Sequence, residues 1–93
     1  MIDKAVTALS EKLGDEVFDG SVRFEIEGEG SVRVDEMGVS ADDSEADVTL
    51  TADRDTFEGL LTGDVNPTSA FMTGQLKVDG DMSLAMKLGS ILS

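Results

Sequence analysis

Val22, Phe24 and Ile26 alternate with Arg23, Glu25 and Glu27, and after Gly28-Glu29-Gly30 the alternation resumes through Val32 and Val34. A period of two around a glycine-flanked turn fits a β-hairpin with one buried face, and a helix cannot satisfy it over the same residues. With Gly28-Glu29-Gly30 as the loop, Phe24 faces Val34, Ile26 faces Val32, Glu25 lies opposite Arg33 and Arg23 opposite Asp35. The flanking periods are helical instead. Ile2, Val6, Leu9 and Leu13 are spaced four, three and four apart and are followed by Gly14, which predicts an amphipathic helix with a glycine stop. Helix, strands and helices again within 93 residues make an α+β arrangement with room for one domain, residues 1–93.

Downstream, Met37-Gly38 predicts a second turn into a short strand, Val39-Ser40-Ala41. The run Asp42-Asp43-Ser44-Glu45-Ala46 is read as a loop before a strand over 47–51, whose Val48 and Leu50 face inward. Asp53 caps a helix with the apolar stripe Phe57, Leu60 and Leu61, ended by Gly63. Asn66-Pro67 restarts a helix, because Asn caps and Pro suits the first helical position, and Gly74 closes it. Leu76 and Val78 take inward positions of a last short strand, Lys77 points out, and Asp81 caps the final helix. From Met82 to Leu92 the clearly polar side chains are Ser83, Lys87 and Ser90, one narrow stripe on an otherwise apolar cylinder. A terminal helix of that kind on so short a chain is expected to touch something besides its own sheet: an apolar ligand, a second subunit or a membrane surface.

Composition removes most chemistry. Seven Lys plus Arg against twenty Asp plus Glu give a net charge of −13, which repels a polyphosphate backbone and excludes nucleic-acid binding. Anionic membranes attract clusters of Lys and Arg, and the sequence has none. The charge is uneven, about −12 over residues 1–58 and −1 over 59–93, which reads as two layers of one domain. Without Cys or His there is no disulfide, thiolate nucleophile, zinc–thiolate site, imidazole ligand or Ser-His-Asp triad. The acids fall on turns, caps and outward strand positions, and Lys77 and Lys87 are read as solvent-facing, so no enzyme activity is expected. Asp42, Asp43, Glu45 and Asp47 lack the spacing of a calcium loop, and Asp79-Gly80-Asp81 meets Ser90 where that loop needs a bidentate Glu. Gly28-x-Gly30 lacks the third glycine of a dinucleotide fingerprint. No metal or cofactor is expected. The N-terminus lacks the apolar core of a signal peptide and no stretch is long enough to span a membrane, which leaves the cytoplasm as the expected compartment.

Met72, Met82 and Met86 gather with Phe57 and Phe71 in the C-terminal half, and flexible thioethers suit surfaces that accommodate variable apolar shapes. The same half carries a denser signal. The stretches Ala46-Asp47-Val48-Thr49-Leu50-Thr51, Leu61-Thr62-Gly63 and Asn66-Pro67-x-Ser69-Ala70-Phe71-Met72-x-Gly74-x-Leu76-Lys77-Val78-x-Gly80-Asp81-Met82-x-Leu84-Ala85-Met86-Lys87-Leu88 resemble the sterol carrier protein type 2 domain family. That resemblance implies a five-stranded, largely antiparallel sheet with helices packed on one face around an apolar tunnel. It implies members that bind and transfer sterols, fatty acids, fatty acyl-CoA and phospholipids without chemistry. Carried onto this chain, it puts Phe57, Leu61, Phe71, Met72, Leu76, Met82, Leu84, Met86 and Leu88 at the tunnel, and Phe24, Ile26, Val34 and Leu50 on its floor.

Three features depart from that pattern. The chain ends Ile91-Leu92-Ser93 where eukaryotic members carry a peroxisomal signal, the hairpin loop is short, and many transfer-active relatives are basic. The function expected is non-enzymatic binding and intracellular transfer or sequestration of a sterol-like, fatty acyl or other apolar lipid. The alternative is an accessory domain whose last helix pairs with a second copy, giving a homodimer, or with a partner enzyme, as in isoprenoid-quinone metabolism.

Overall fold

The computed structural model describes residues 2–15 and 17–92. In chain order the elements are α1 (Ile2–Leu13), β1 (Val22–Ile26), β2 (Gly30–Asp35), β3 (Gly38–Ser40), β4 (Val48–Ala52), α2 (Arg54–Thr62), α3 (Pro67–Thr73), β5 (Lys77–Gly80) and α4 (Met82–Leu92). The strands form one mixed sheet in the order β3-β2-β1-β4-β5. β1–β2, β2–β3 and β4–β5 pair antiparallel, and the central pair β1–β4 is parallel.

Alternation decides the faces. Val22, Phe24 and Ile26 of β1, Val32 and Val34 of β2, and Val48, Leu50 and Ala52 of β4 are all buried on one side. Arg23, Glu25, Arg33, Thr49 and Thr51 stand on the other, less buried side. The helices cover the apolar side, where α1 contributes Ala5, Leu9 and Leu13, α2 contributes Phe57 and Leu60, and α4 contributes Leu88 and Leu92. Each large aliphatic side chain sealed there contributes on the order of 2 kcal/mol relative to exposure. Phe24 and Phe57 meet edge to face at 4.7 Å between centroids, joining the central strand to α2.

The hairpin differs from the sequence expectation in one respect. Its loop is residues 27–29, and Gly30 already belongs to β2, so Phe24 faces Val32, Arg23 faces Arg33, and Glu25 faces Ser31. The Glu29 N–H donates to the Ile26 carbonyl at 3.0 Å, which closes the turn one residue early. The slip is two residues in pairing, an even number, so every side chain keeps its face while the cross-strand partners change. Arg33 then pairs with Asp35 on its own strand at 2.9 Å rather than with Glu25.

The two arginines left opposite one another hold the acidic loop over the polar face. Arg23 donates to the Asp43 carbonyl at 2.9 Å and Arg33 to the Glu45 carbonyl. Ser21 and Asp47 close its far end: the Asp47 N–H donates to Ser21 Oγ at 2.9 Å, and that hydroxyl donates to the Asp47 carboxylate at 3.2 Å. Asp42 caps the turn by accepting the Ser44 N–H at 2.8 Å, a bond that holds its carboxyl below the usual range.

The predicted caps form. Asp53 accepts the Thr56 N–H at 2.7 Å, Asn66 those of Thr68 and Ser69, and Asp81 those of Ser83 and Leu84. Gly63 and Gly74 end α2 and α3 in the left-handed conformation. At Gly80, φ is +121° and a Cβ would run into the Asp47 carbonyl and Val48 Cα, so only glycine lets β5 end against β4.

Candidate functional site

α3 and α4 do not close over the β4–β5 edge, and a cavity of about 500 Å³ lies between them. Its position follows from short local signals. Asn66 and Pro67 set the direction of α3, Gly74 turns the chain back, and the Leu76 N–H donates to the Ala70 carbonyl at 3.0 Å, which leads the chain into β5. β5 pairs with β4 so that Val78 stands beside Leu50. The Asp81 N–H then donates to the Asp47 carbonyl at 3.0 Å, and its carboxylate starts α4 back across the sheet.

Three walls result. Asn66, Pro67, Thr68, Phe71 and Met72 come from α3 and its cap; Leu50, Leu76 and Val78 from the sheet edge; Met82, Ala85, Met86, Gly89, Ser90 and Leu92 from α4. Gly89 of α4 faces Pro67 of α3, and a Cβ there would sit in ordinary van der Waals contact, 3.5 Å from the Pro67 ring. The rim is apolar and open to solvent: Phe71 is 43% exposed, Met72 79%, Met82 44% and Met86 69%. Large side chains of this kind are ordinarily covered, and four around one opening make a contiguous patch.

None of these wall residues is acidic or basic; the hydrogen-bonding side chains are the neutral Asn66, Thr68 and Ser90. The wall therefore offers neither a proton donor or acceptor of catalytic type nor a metal ligand of His, Cys, Asp or Glu type. Among the described residues the carboxyl groups with shifted titration, Asp42 and Asp53, lie elsewhere; Asp53 is held low by the Thr56 N–H it accepts. Lys87 lays its ammonium 5.5 Å from the centroid of Phe18, outside the cavity wall. Lys77 stands opposite Thr51, one position out of phase with Val78.

Of the residues singled out from sequence, Leu50, Phe71, Met72, Leu76, Met82 and Met86 meet at this cavity. Phe24, Ile26, Val34, Phe57 and Leu88 are sealed in the core and line no part of it. Leu61 and Leu84 are half-buried beside that core, with Leu84 lying over Gly20, where a Cβ would come within 2.7 Å of it. Asn66, Pro67, Thr68, Val78, Gly89 and Ser90 also line the cavity without having been singled out as site residues, and Ala85 and Leu92 enter the sequence reading only as part of the apolar surface of the last helix. The signal for the α4 members is the spacing Met82, Ala85, Met86, Gly89, which marks one face, while Leu84, Leu88 and Ile91 mark another.

Comparison with known proteins agrees with this architecture. The sequence model of the SCP-2 sterol transfer family matches residues 4–93. Human "Sterol carrier protein 2" is 49% identical over 49 residues, covering 53% of this chain and 9% of that protein. "Hydroxysteroid dehydrogenase-like protein 2" of Xenopus tropicalis is 45% identical over 56 residues, covering 60% of this chain and 13% of that protein. The chain thus spans only about a tenth of the length of these relatives. Among solved structures, Aedes aegypti sterol carrier protein-2 in complex with the C16 fatty acid palmitate superposes with a TM-score of 0.77 at 20% identity, covering 98% of this chain and 93% of that one. The chain belongs to the SCP-2 sterol transfer family.

Proposed function

We propose that this protein is a lipid-binding module that takes an apolar lipid into the groove between α3 and α4 and transfers or sequesters it without chemical change. The observation that carries this reading is the open, apolar cavity of about 500 Å³, within the 300–1,000 Å³ range of small-molecule sites. Family membership and the lipids named for its relatives support it. Phe71, Met72, Met82 and Met86 form the entrance, and Leu50, Leu76 and Val78 the base. Ligand burial against these side chains supplies the driving force, and thioether flexibility lets the mouth adapt to different chains. On the sequence reading its compartment is the cytoplasm; among the described residues no helix is long and apolar enough to cross a membrane.

A second reading rests on the same exposed rim. The matched relatives are far longer proteins, one named as a dehydrogenase-like protein, so an accessory domain that presents the Met72–Met86 patch to a partner is the rival. Native mass spectrometry of protein from its own host separates the two. A stoichiometric mass increment, released by solvent and identified as lipid, supports the carrier. Empty protein that is folded and dimeric favours the accessory role.

A further inference from the structure

Sulfur is unevenly placed in this chain. There is no Cys, and without His, Trp or Tyr the side chains left for a two-electron oxidant are the five methionines. Among the described residues none of these is in the core, whose buried hydrophobic side chains are all Ala, Val, Leu, Ile or Phe. Met72, Met82 and Met86 instead line the groove with their side chains exposed to solvent. Met37, 92% exposed between β2 and β3, is no part of that wall.

An exposed thioether meets a peroxide arriving from solvent. Its sulfur lone pair attacks one peroxide oxygen, and the S–O bond forms as the O–O bond breaks. The departing hydroxide takes the proton of the transferred oxygen and leaves as water, so the sulfide is oxidised to the sulfoxide and the peroxide is reduced. A sulfoxide dipole hydrated at the rim is desolvated by any apolar ligand seated against it, whereas a thioether is not. Because these side chains hold no part of the core, the same change leaves the packing beneath them untouched. We propose that Met72, Met82 and Met86 form a modification site at which hydrogen peroxide turns the groove from apolar to polar and releases its ligand, with the fold intact. Two thiols reverse the step, reducing the sulfoxide to the thioether as water leaves and a disulfide forms between them, the chemistry of methionine sulfoxide reductases. This rests on the reading of the groove as a lipid site and adds a control on its occupancy.

The full chain is treated with graded hydrogen peroxide, desalted, mapped by peptide mass spectrometry and titrated with the neutral apolar dye Nile red. Affinity is expected to fall about fivefold or more as sulfoxide accumulates at the three rim positions, with cooperative thermal unfolding retained. Methionine sulfoxide reductases for both epimers, with dithiothreitol, are expected to restore it. Met37→Leu, outside the groove, is expected to bind the dye and lose it on oxidation as the parent does. In the triple variant Met72→Leu, Met82→Leu, Met86→Leu, affinity is expected to be the same before and after peroxide; should that variant bind no dye, reductase recovery in Met37→Leu decides, and no recovery overturns the switch. Rim sulfoxide without loss of affinity, equal loss in the triple variant and the parent, loss of cooperative unfolding together with binding, or a rim that resists peroxide while Met37 is oxidised also overturns the switch and leaves the lipid site standing. An untreated chain that takes up no Nile red overturns the site reading itself, and the switch with it.

Discussion

The ammonium of Lys87 rests 5.5 Å from the centroid of the Phe18 ring, which ties the flank of α4 to the segment between α1 and β1. The two partners contribute unequally. Phe18 is 1% exposed and belongs to the core, while Lys87 is exposed and holds its charge over the ring face. Phe18→Ala is expected to cost about 3–5 kcal/mol through a cavity. Lys87→Met, which keeps the stem, is expected to cost no more than about 1 kcal/mol. Urea unfolding of both variants checks the split, and similar losses from the two would contradict it.

Gly59 is an interior glycine of α2 that helix propensity would replace by alanine. A Cβ there would collide with the Val65 side chain, whose backbone N–H donates to the Gly59 carbonyl at 3.0 Å. Gly59→Ala is expected to destabilise by about 1–2 kcal/mol, because overpacking outweighs a propensity gain of about 1 kcal/mol. A rise in melting temperature would show that the loop after α2 yields freely.

Asp53 gives a pH dependence of known sign. Its carboxylate accepts the Thr56 N–H, which lowers its pKa from the ordinary 3.8. Folding favours the ionised form, so the cap's contribution is present above that ordinary value and is lost as pH falls through the lower folded value. Asn keeps the acceptor without the titration. Asp53→Asn is therefore expected to lose less stability than the parent on acidification below about pH 4, measured as the difference between their thermal midpoints. Parallel curves would mean that the cap does not titrate.

Met86→Asp places a charge on the groove wall at a position already 69% exposed. Stability is expected to change by less than about 0.5 kcal/mol. Binding of Nile red is expected to disappear, because the carboxylate would be desolvated by any apolar ligand seated beside it. Retained binding with an unchanged fold would move the site elsewhere.

Much of this was legible in the residues. Asp53, Asn66, Asp81, Gly63 and Gly74 announce helix ends because capping chemistry is local. The buried face of the hairpin was legible too, since a period of two fixes faces. Its register was not, because two three-residue loops, 27–29 and 28–30, preserve the same faces and only the observed turn distinguishes them. Phe18 lies in a stretch without periodicity, so nothing marked it as core. The groove was half legible. α4 is apolar on nearly all sides, and period alone could not separate the Met82–Met86 face, which lines the cavity, from the Leu84–Leu88 face, which packs on the core.

The parallel β1–β4 pair at the centre of the sheet also orders events during synthesis. β1, β2 and β3 leave the ribosome first and can pair as a meander, but β1 then has one bare edge until residues 48–52 arrive. Every residue that lines the groove lies in that strand or after it, so the groove cannot exist in a nascent chain that has not yet filled the gap. During that interval β1 presents a row of unpaired backbone groups, the kind of edge on which a strand from a neighbouring chain can pair.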